Sequence, residues 1–145
     1  MITPLKIFVV FLLLLNGTGA IFGGGQLIAQ PDGSTMDLSL NLLKHSPFKD
    51  YLIPGKFLFV ANGLFSFCVI GIILFNIRHY SLFIVAQGII LTIWILAQVV
   101  IIDTITQLHL LLGAVGILLT ISALILRKLD KNSEDEIESL AMNDR

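Results

Sequence analysis

The chain has 145 residues, 56% of them hydrophobic and 13% charged, with a formal net charge of −1 and a mean hydropathy of +0.93. An ordinary soluble domain carries roughly 25% charged residues, so water is the wrong solvent for this composition, and the absence of a basic patch excludes nucleic acid as a partner. A single cysteine, Cys68, excludes an intrachain disulfide and any chemistry that works by exchange between paired thiols.

Charge is absent from four runs, residues 7–31, 57–77, 80–102 and 104–126. Each exceeds the roughly 20 residues of helix that cross a bilayer core. None alternates polar with apolar residues as barrel strands do, and a spanning segment must satisfy its own backbone hydrogen bonds. The expected fold is therefore an all-α integral membrane protein, an antiparallel four-transmembrane-helix bundle with one long outer loop. The spans are expected at about 6–28, 55–77, 80–102 and 107–127, the loop at 29–54, and a polar cytoplasmic tail at 129–145.

Within the first run, Lys6, the apolar stretch 7–15 and Thr18-Gly19-Ala20 also fit a secretory signal with a cleavage site. The apolar character resumes at Ile21 and Phe22 and continues to Ile28, which is the length of a span instead. The Asn16-Gly17-Thr18 sequon lies inside that span and is not exposed for glycosylation. Gly23-Gly24-Gly25 lacks the preceding strand and following lysine of a phosphate loop. Placed on a helix, Asn16, Gly19, Gly23, Gln26 and Gln30 share one stripe, which predicts a close-packing face, because small residues and interhelical hydrogen bonds drive association in lipid.

The long loop opens on a Pro31-Asp32-Gly33 turn and then becomes apolar at Leu38, Leu40, Leu42 and Leu43. It is expected to rest on the membrane surface or cap the bundle, with a lid over a site as the alternative. Ser46-Pro47 suits the start of a short helix, and Pro54 the first turn of the second span. Three further stripes repeat at three and four residues: Gly55, Phe59, Asn62, Ser66; Gln87, Leu91, Trp94, Gln98; and His109, Gly113, Gly116, Thr120, Ala123. The tail turns from basic to acidic and is expected to be disordered or a fraying helix begun by Ser133 and Glu136, with a docking segment as the alternative.

Lysine and arginine set the orientation. Lys6, Arg78, Arg127, Lys128, Lys131 and Arg145 fall on the side of the termini and only Lys44, Lys49 and Lys56 on the other, which predicts both termini in the cytoplasm. Gln26, Asn62, Gln98 and His109 then lie in the outer half of the bundle, under a loop that carries Asp50 and Tyr51. They form either hydrogen-bonded glue between helices or a candidate polar pocket.

No catalytic residue, metal or cofactor is expected. No two histidines stand at ligand spacing on one helix, no nucleophile elbow is present, and no span holds the carboxylate that ion-coupled transport requires. The stretches "GGGQLIAQPDG" and "SPFKDYLIPG" resemble a recurring signature of small uncharacterised bacterial four-span integral membrane proteins, over most of residues 1–110. A looser likeness to DoxX-like membrane proteins rests on size and span number. These resemblances imply a place in the bacterial inner membrane and supply no activity or catalytic residues. The leading expectation is a non-catalytic structural or accessory subunit whose partners are the lipid bilayer and another membrane protein or a second copy of the chain. The alternative is a binding or transport module for a small amphiphile or lipid in the outer-facing pocket. An interfacial enzyme using His109, Asp103 or Asp50 is third.

Overall fold

The structure, a computed structural model, describes residues 3–103 and 105–143. Four helices long and apolar enough to cross a membrane make up the body of the chain: α1 (Pro4–Ala29), α2 (Leu52–Leu74), α3 (Tyr80–Ile102) and α4 (Gln107–Asn143). No strand occurs among the described residues. Arg145, counted above for orientation, lies outside them.

Local chemistry sets the helix ends. Thr3 caps α1 by accepting from the Lys6 N–H, and Pro4 occupies the first turn, where its missing N–H costs nothing. The Asp50 carboxylate accepts from the Leu52 N–H at 2.9 Å, so α2 starts at Leu52, before Pro54, and earlier than expected. Positive φ at Asn76, His79 and Asp103 turns the chain sharply out of α2, into α3 and out of α3. α4 opens on Thr106, whose N–H donates to His109 Nδ1 at 3.1 Å, with the Thr106 hydroxyl 2.9 Å from the same nitrogen. This is one half of a capping box, the side chain three residues on reaching back to the cap N–H, with histidine in the place of glutamate.

Inside α2 the residues Leu58–Leu64 wind as a π-helix, closed by a bond from the Phe65 N–H to the Val60 carbonyl five residues back. Such wide turns are rare and local. The α1–α2 contact runs along this stretch. A Cβ built on Gly24 would lie 2.7 Å from the Phe59 nitrogen and 2.8 Å from the Gly55 carbonyl, and one on Gly63 would lie 2.7 Å from Ile21. Gly17 faces Ser66 and Phe67 at similar range.

The packing stripe of α1 therefore differs from the one expected. Gly19 is exposed and a Cβ there meets nothing within 4 Å, while Gly23 makes ordinary contact with Leu58 and Met36. The bulk on α2, Phe59 and Phe67 in particular, selects the neighbouring face of Asn16, Gly17, Ala20, Gly24 and Leu27. Between α3 and α4 the contact is reciprocal. A Cβ on Gly88 would meet the Gly116 carbonyl at 2.8 Å and the Thr120 side chain, and one on Gly116 would meet the Gly88 carbonyl at 3.1 Å and the Thr92 side chain. Each threonine hydroxyl donates back to its own helix, Thr92 to the Gly88 carbonyl and Thr120 to the Gly116 carbonyl, so the hydroxyls bring no unmet polarity into the contact. Gly113, expected in this interface, comes no closer than 3.9 Å to Ile95. Val9, Leu13, Val69, Ile84, Leu91, Leu119 and Leu126 fill the space between the pairs.

Two other expectations change. Ser46 starts no helix: its hydroxyl donates to the Leu43 carbonyl at 2.9 Å and accepts from the Phe48 N–H, and the loop's short helices are the 3-10 turns Ser34–Met36 and Leu40–Leu43. Ser133 starts none either, because α4 passes through it without a break and the Ser133 hydroxyl donates to the Leu129 carbonyl.

Candidate functional site

The residues expected to form one pocket are dispersed, and only Gln98 and Tyr51 come together. Asn62 is fully buried in the π-helix. Its side-chain oxygen accepts from Gln87 Nε2 at 3.4 Å, and its backbone carbonyl accepts from Asn16 Nδ2 at 3.3 Å and from the Ser66 hydroxyl at 2.7 Å. Asn16 Nδ2 also donates to Ser66 Oγ at 2.9 Å. Three helices thus share one polar knot midway along their length. Asn62 Nδ2 and Gln87 Oε1 remain without partners, so the knot is only partly satisfied. Its composition fits glue between helices better than an open pocket.

Gln98 and Tyr51 come together at the loop end of the bundle, lining a cavity of about 50 Å³ with Leu27, Leu43, Pro54 and Trp94. The loop closes over it: Tyr51 donates from its phenol to the Ser39 carbonyl at 2.8 Å and from its N–H to the Pro31 carbonyl at 2.8 Å. Gly33, at φ +79°, allows this path, since a Cβ there would lie 2.6 Å from the Leu38 carbonyl. Burial raises the Tyr51 phenol pKa above its ordinary value of 10.0. The exposed Asp32 carboxyl is held below its ordinary value of 3.8, first by the Ser34 N–H and then by the Ser34 hydroxyl. Trp94 stacks on Phe57 at 5.0 Å between ring centres, and its indole N–H has no partner.

His109 and Asp50 serve as local helix caps, as described above, and are not brought to the polar knot. Gln26 is half-buried on α1. Among the described residues no three histidine, cysteine, aspartate or glutamate side chains gather as metal ligands.

A larger feature lies at the other end of the bundle, away from the expected pocket. A cleft of about 540 Å³ opens between the turn 76–82 and residues 127–134 of α4. Arg78, His79, Arg127 and Lys131 line it, together with Asp130 and Glu134. Behind it Lys6, only 8% exposed, donates from Nζ to the Asn76 side-chain oxygen at 3.2 Å and sits 4.3 Å from the centre of the Tyr80 ring. The positive φ of Asn76 and His79 forms the turn that brings these groups together. A signal did exist in the sequence: the basic "IRHY" turn and the "RKLDK" that follows the fourth apolar run. The two lie about fifty residues apart, and only the fold brings them together.

No protein-family model, no curated protein and no solved structure matches the chain.

Proposed function

We propose that the chain is a non-catalytic accessory subunit of a membrane assembly. It spans the bacterial cytoplasmic membrane as an antiparallel four-helix bundle with both termini inside, and it docks a partner through the end of α4. Antiparallel packing is supported by the α3–α4 contacts, in which Gly88 meets Thr120 while Thr92 meets Gly116. The inside placement of the termini is supported by the excess of lysine and arginine at that end. The resemblance to small bacterial four-span membrane proteins belongs to the same reading.

The observation that carries it is the length of α4. A membrane core occupies roughly 20 residues of helix, and α4 has 37. Residues 129–142 are all exposed, and a helix of that length is marginal in water by itself. Leu129, Ile137 and Leu140, all exposed, fall on one side of it, bordered by Asp130 and Glu136. An apolar stripe on an acidic helix suits a groove with a basic rim. The loop-end cavity, at about 50 Å³, is well below the roughly 300–1,000 Å³ of small-molecule pockets. That comparison favours the accessory reading over an amphiphile carrier.

Photo-cross-linking in native membranes from a reactive side chain placed at position 137 tests the proposal. A stoichiometric adduct, lost with Leu129→Asp or Leu140→Asp, is expected. Recovery of the monomer alone would sink it.

A further inference from the structure

The cleft beside α4 has the features of a binding site; it shares Asp130 with the border of the docking stripe, and its arginines, Lys131 and Tyr80 are used neither by that reading nor by the helix packing. Its size, about 540 Å³, lies within the range of small-molecule pockets. Arg78, Arg127 and Lys131 line it with the two carboxylates of Asp130 and Glu134, an excess of one positive charge, and Lys6 stands behind the Tyr80 ring. The positive end of the α3 macrodipole opens there as well.

The second, independent observation is Tyr80. It is only 5% exposed, it lines the cleft, and its hydroxyl has no hydrogen-bond partner. A buried hydroxyl left unmet lacks a partner in the present arrangement of side chains. The Asp130 carboxylate stands near this hydroxyl without meeting it in hydrogen-bond geometry. Two arginine forks, a lysine and a phenol donor outnumber the two carboxylates beside them, and a phosphate oxygen cluster is an acceptor that suits the donors left over.

We propose that this cleft binds a phosphate group of the kind carried by an anionic phospholipid headgroup. The depth agrees: Arg127 directly follows the apolar run of α4 and Tyr80 begins that of α3, which is where headgroups lie if the helices span. The inference rests on the membrane-spanning part of the preceding proposal and is independent of partner docking.

The test uses the full chain in nanodiscs of phosphatidylcholine containing a minor fraction of phosphatidylglycerol, with retained lipids counted by native mass spectrometry. Wild type is expected to keep one phosphatidylglycerol in preference to phosphatidylcholine. Arg78→Gln with Arg127→Gln should lower that preference by roughly fivefold for each cation removed. Tyr80→Phe, which keeps the ring under Lys6, should lower it by a smaller factor, and Asp130→Asn should raise it. Lys128→Gln, adjacent in sequence but outside the cleft, should leave it unchanged.

Millimolar inorganic phosphate separates the two sources of the group. Retention that survives it assigns the phosphate to lipid. Displacement of the lipid, with Lys131 then protected from acylation, assigns it to a soluble phosphate compound at the same site. Equal retention of both lipids by wild type would overturn the proposal, as would a loss with Lys128→Gln equal to that with Arg127→Gln. Recovery of the chain outside the nanodiscs would overturn the spanning reading and this site with it.

Discussion

The α1–α2 and α3–α4 pairs both bring backbones close through glycine, yet they do so differently. In α3–α4 the contact is symmetric, a glycine and a threonine from each helix, with both hydroxyls satisfied inside their own helix. In α1–α2 one helix is locally unwound into a π-helix, aromatic side chains sit against glycine, and the amide knot that reaches on to Gln87 of α3 is left partly unsatisfied at Asn62 and Gln87. The first is a self-sufficient joint. The second holds polar atoms that lack partners in the closed bundle, the mark of a contact less firmly fixed.

The sharpest break of this contrast is Gly88→Val. Its branched side chain would meet the Gly116 carbonyl and Thr120 together, and overpacking of this kind costs about 3 kcal/mol or more where backbone cannot move. Unfolding by steric trapping in bicelles should show it, and a variant as stable as wild type would mean that the joint is not the close one described. Gly24→Ala comes next, since the added methyl meets the Phe59 nitrogen at 2.7 Å and the Gly55 carbonyl at 2.8 Å. A loss of about 1–3 kcal/mol is expected by the same measurement. Gly19→Ala is its control, with a change within about 0.5 kcal/mol.

A smaller effect comes from the knot. Asn62→Leu leaves the backbone carbonyl that Asn16 uses and strands Gln87, at a cost of about 0.6–1.7 kcal/mol for an intramembrane hydrogen bond. Asn62→Leu combined with Gln87→Leu should recover most of that stability, because a buried polar pair replaced on both sides is nearly neutral. A double variant weaker than either single one would show that the knot does more than join helices.

The smallest effect concerns the loop that closes the α1–α2 end. Burial raises the Tyr51 phenol above 10.0, so the unfolded chain loses this proton first as pH rises. The stabilisation is complete below the unfolded value and is lost as pH rises through the folded one. Proteolysis of the loop should therefore quicken above about pH 10 in wild type, in line with the linkage of burial to proton binding. In Tyr51→Phe the rate should show no such step.

Much of the fold was legible in the sequence because charge is forbidden in lipid-facing helix and the gaps between charged residues mark each element. The stripes of the second and third runs place Gly55, Asn62, Ser66, Gln87, Leu91 and Trp94 in buried positions. The stripe of the first did not transfer, since the stretch "GTGAIFGGG" has glycine on several faces at once. Only the shape of the partner chooses among them, and the π-turn that shapes α2 has no composition signature. The candidate pocket was less legible still. His109 and Asp50 have the chemistry of ligands but are taken up by backbone N–H groups next to them in sequence, a competition that spacing alone does not reveal. The basic cleft joins residues about fifty positions apart, beyond any local pattern.

No glycine or proline occurs in α4 after Gly116. Sharp helix kinks arise at such residues, so from that joint to Asn143 the helix behaves as a single shaft. Once a partner holds the exposed end helical, a roll or tilt of α4 against Gly88 reaches Ile137 and Leu140, about 30–36 Å farther along at 1.5 Å per residue. What happens among side chains within the bundle is thereby geared to the orientation of the acidic end outside it.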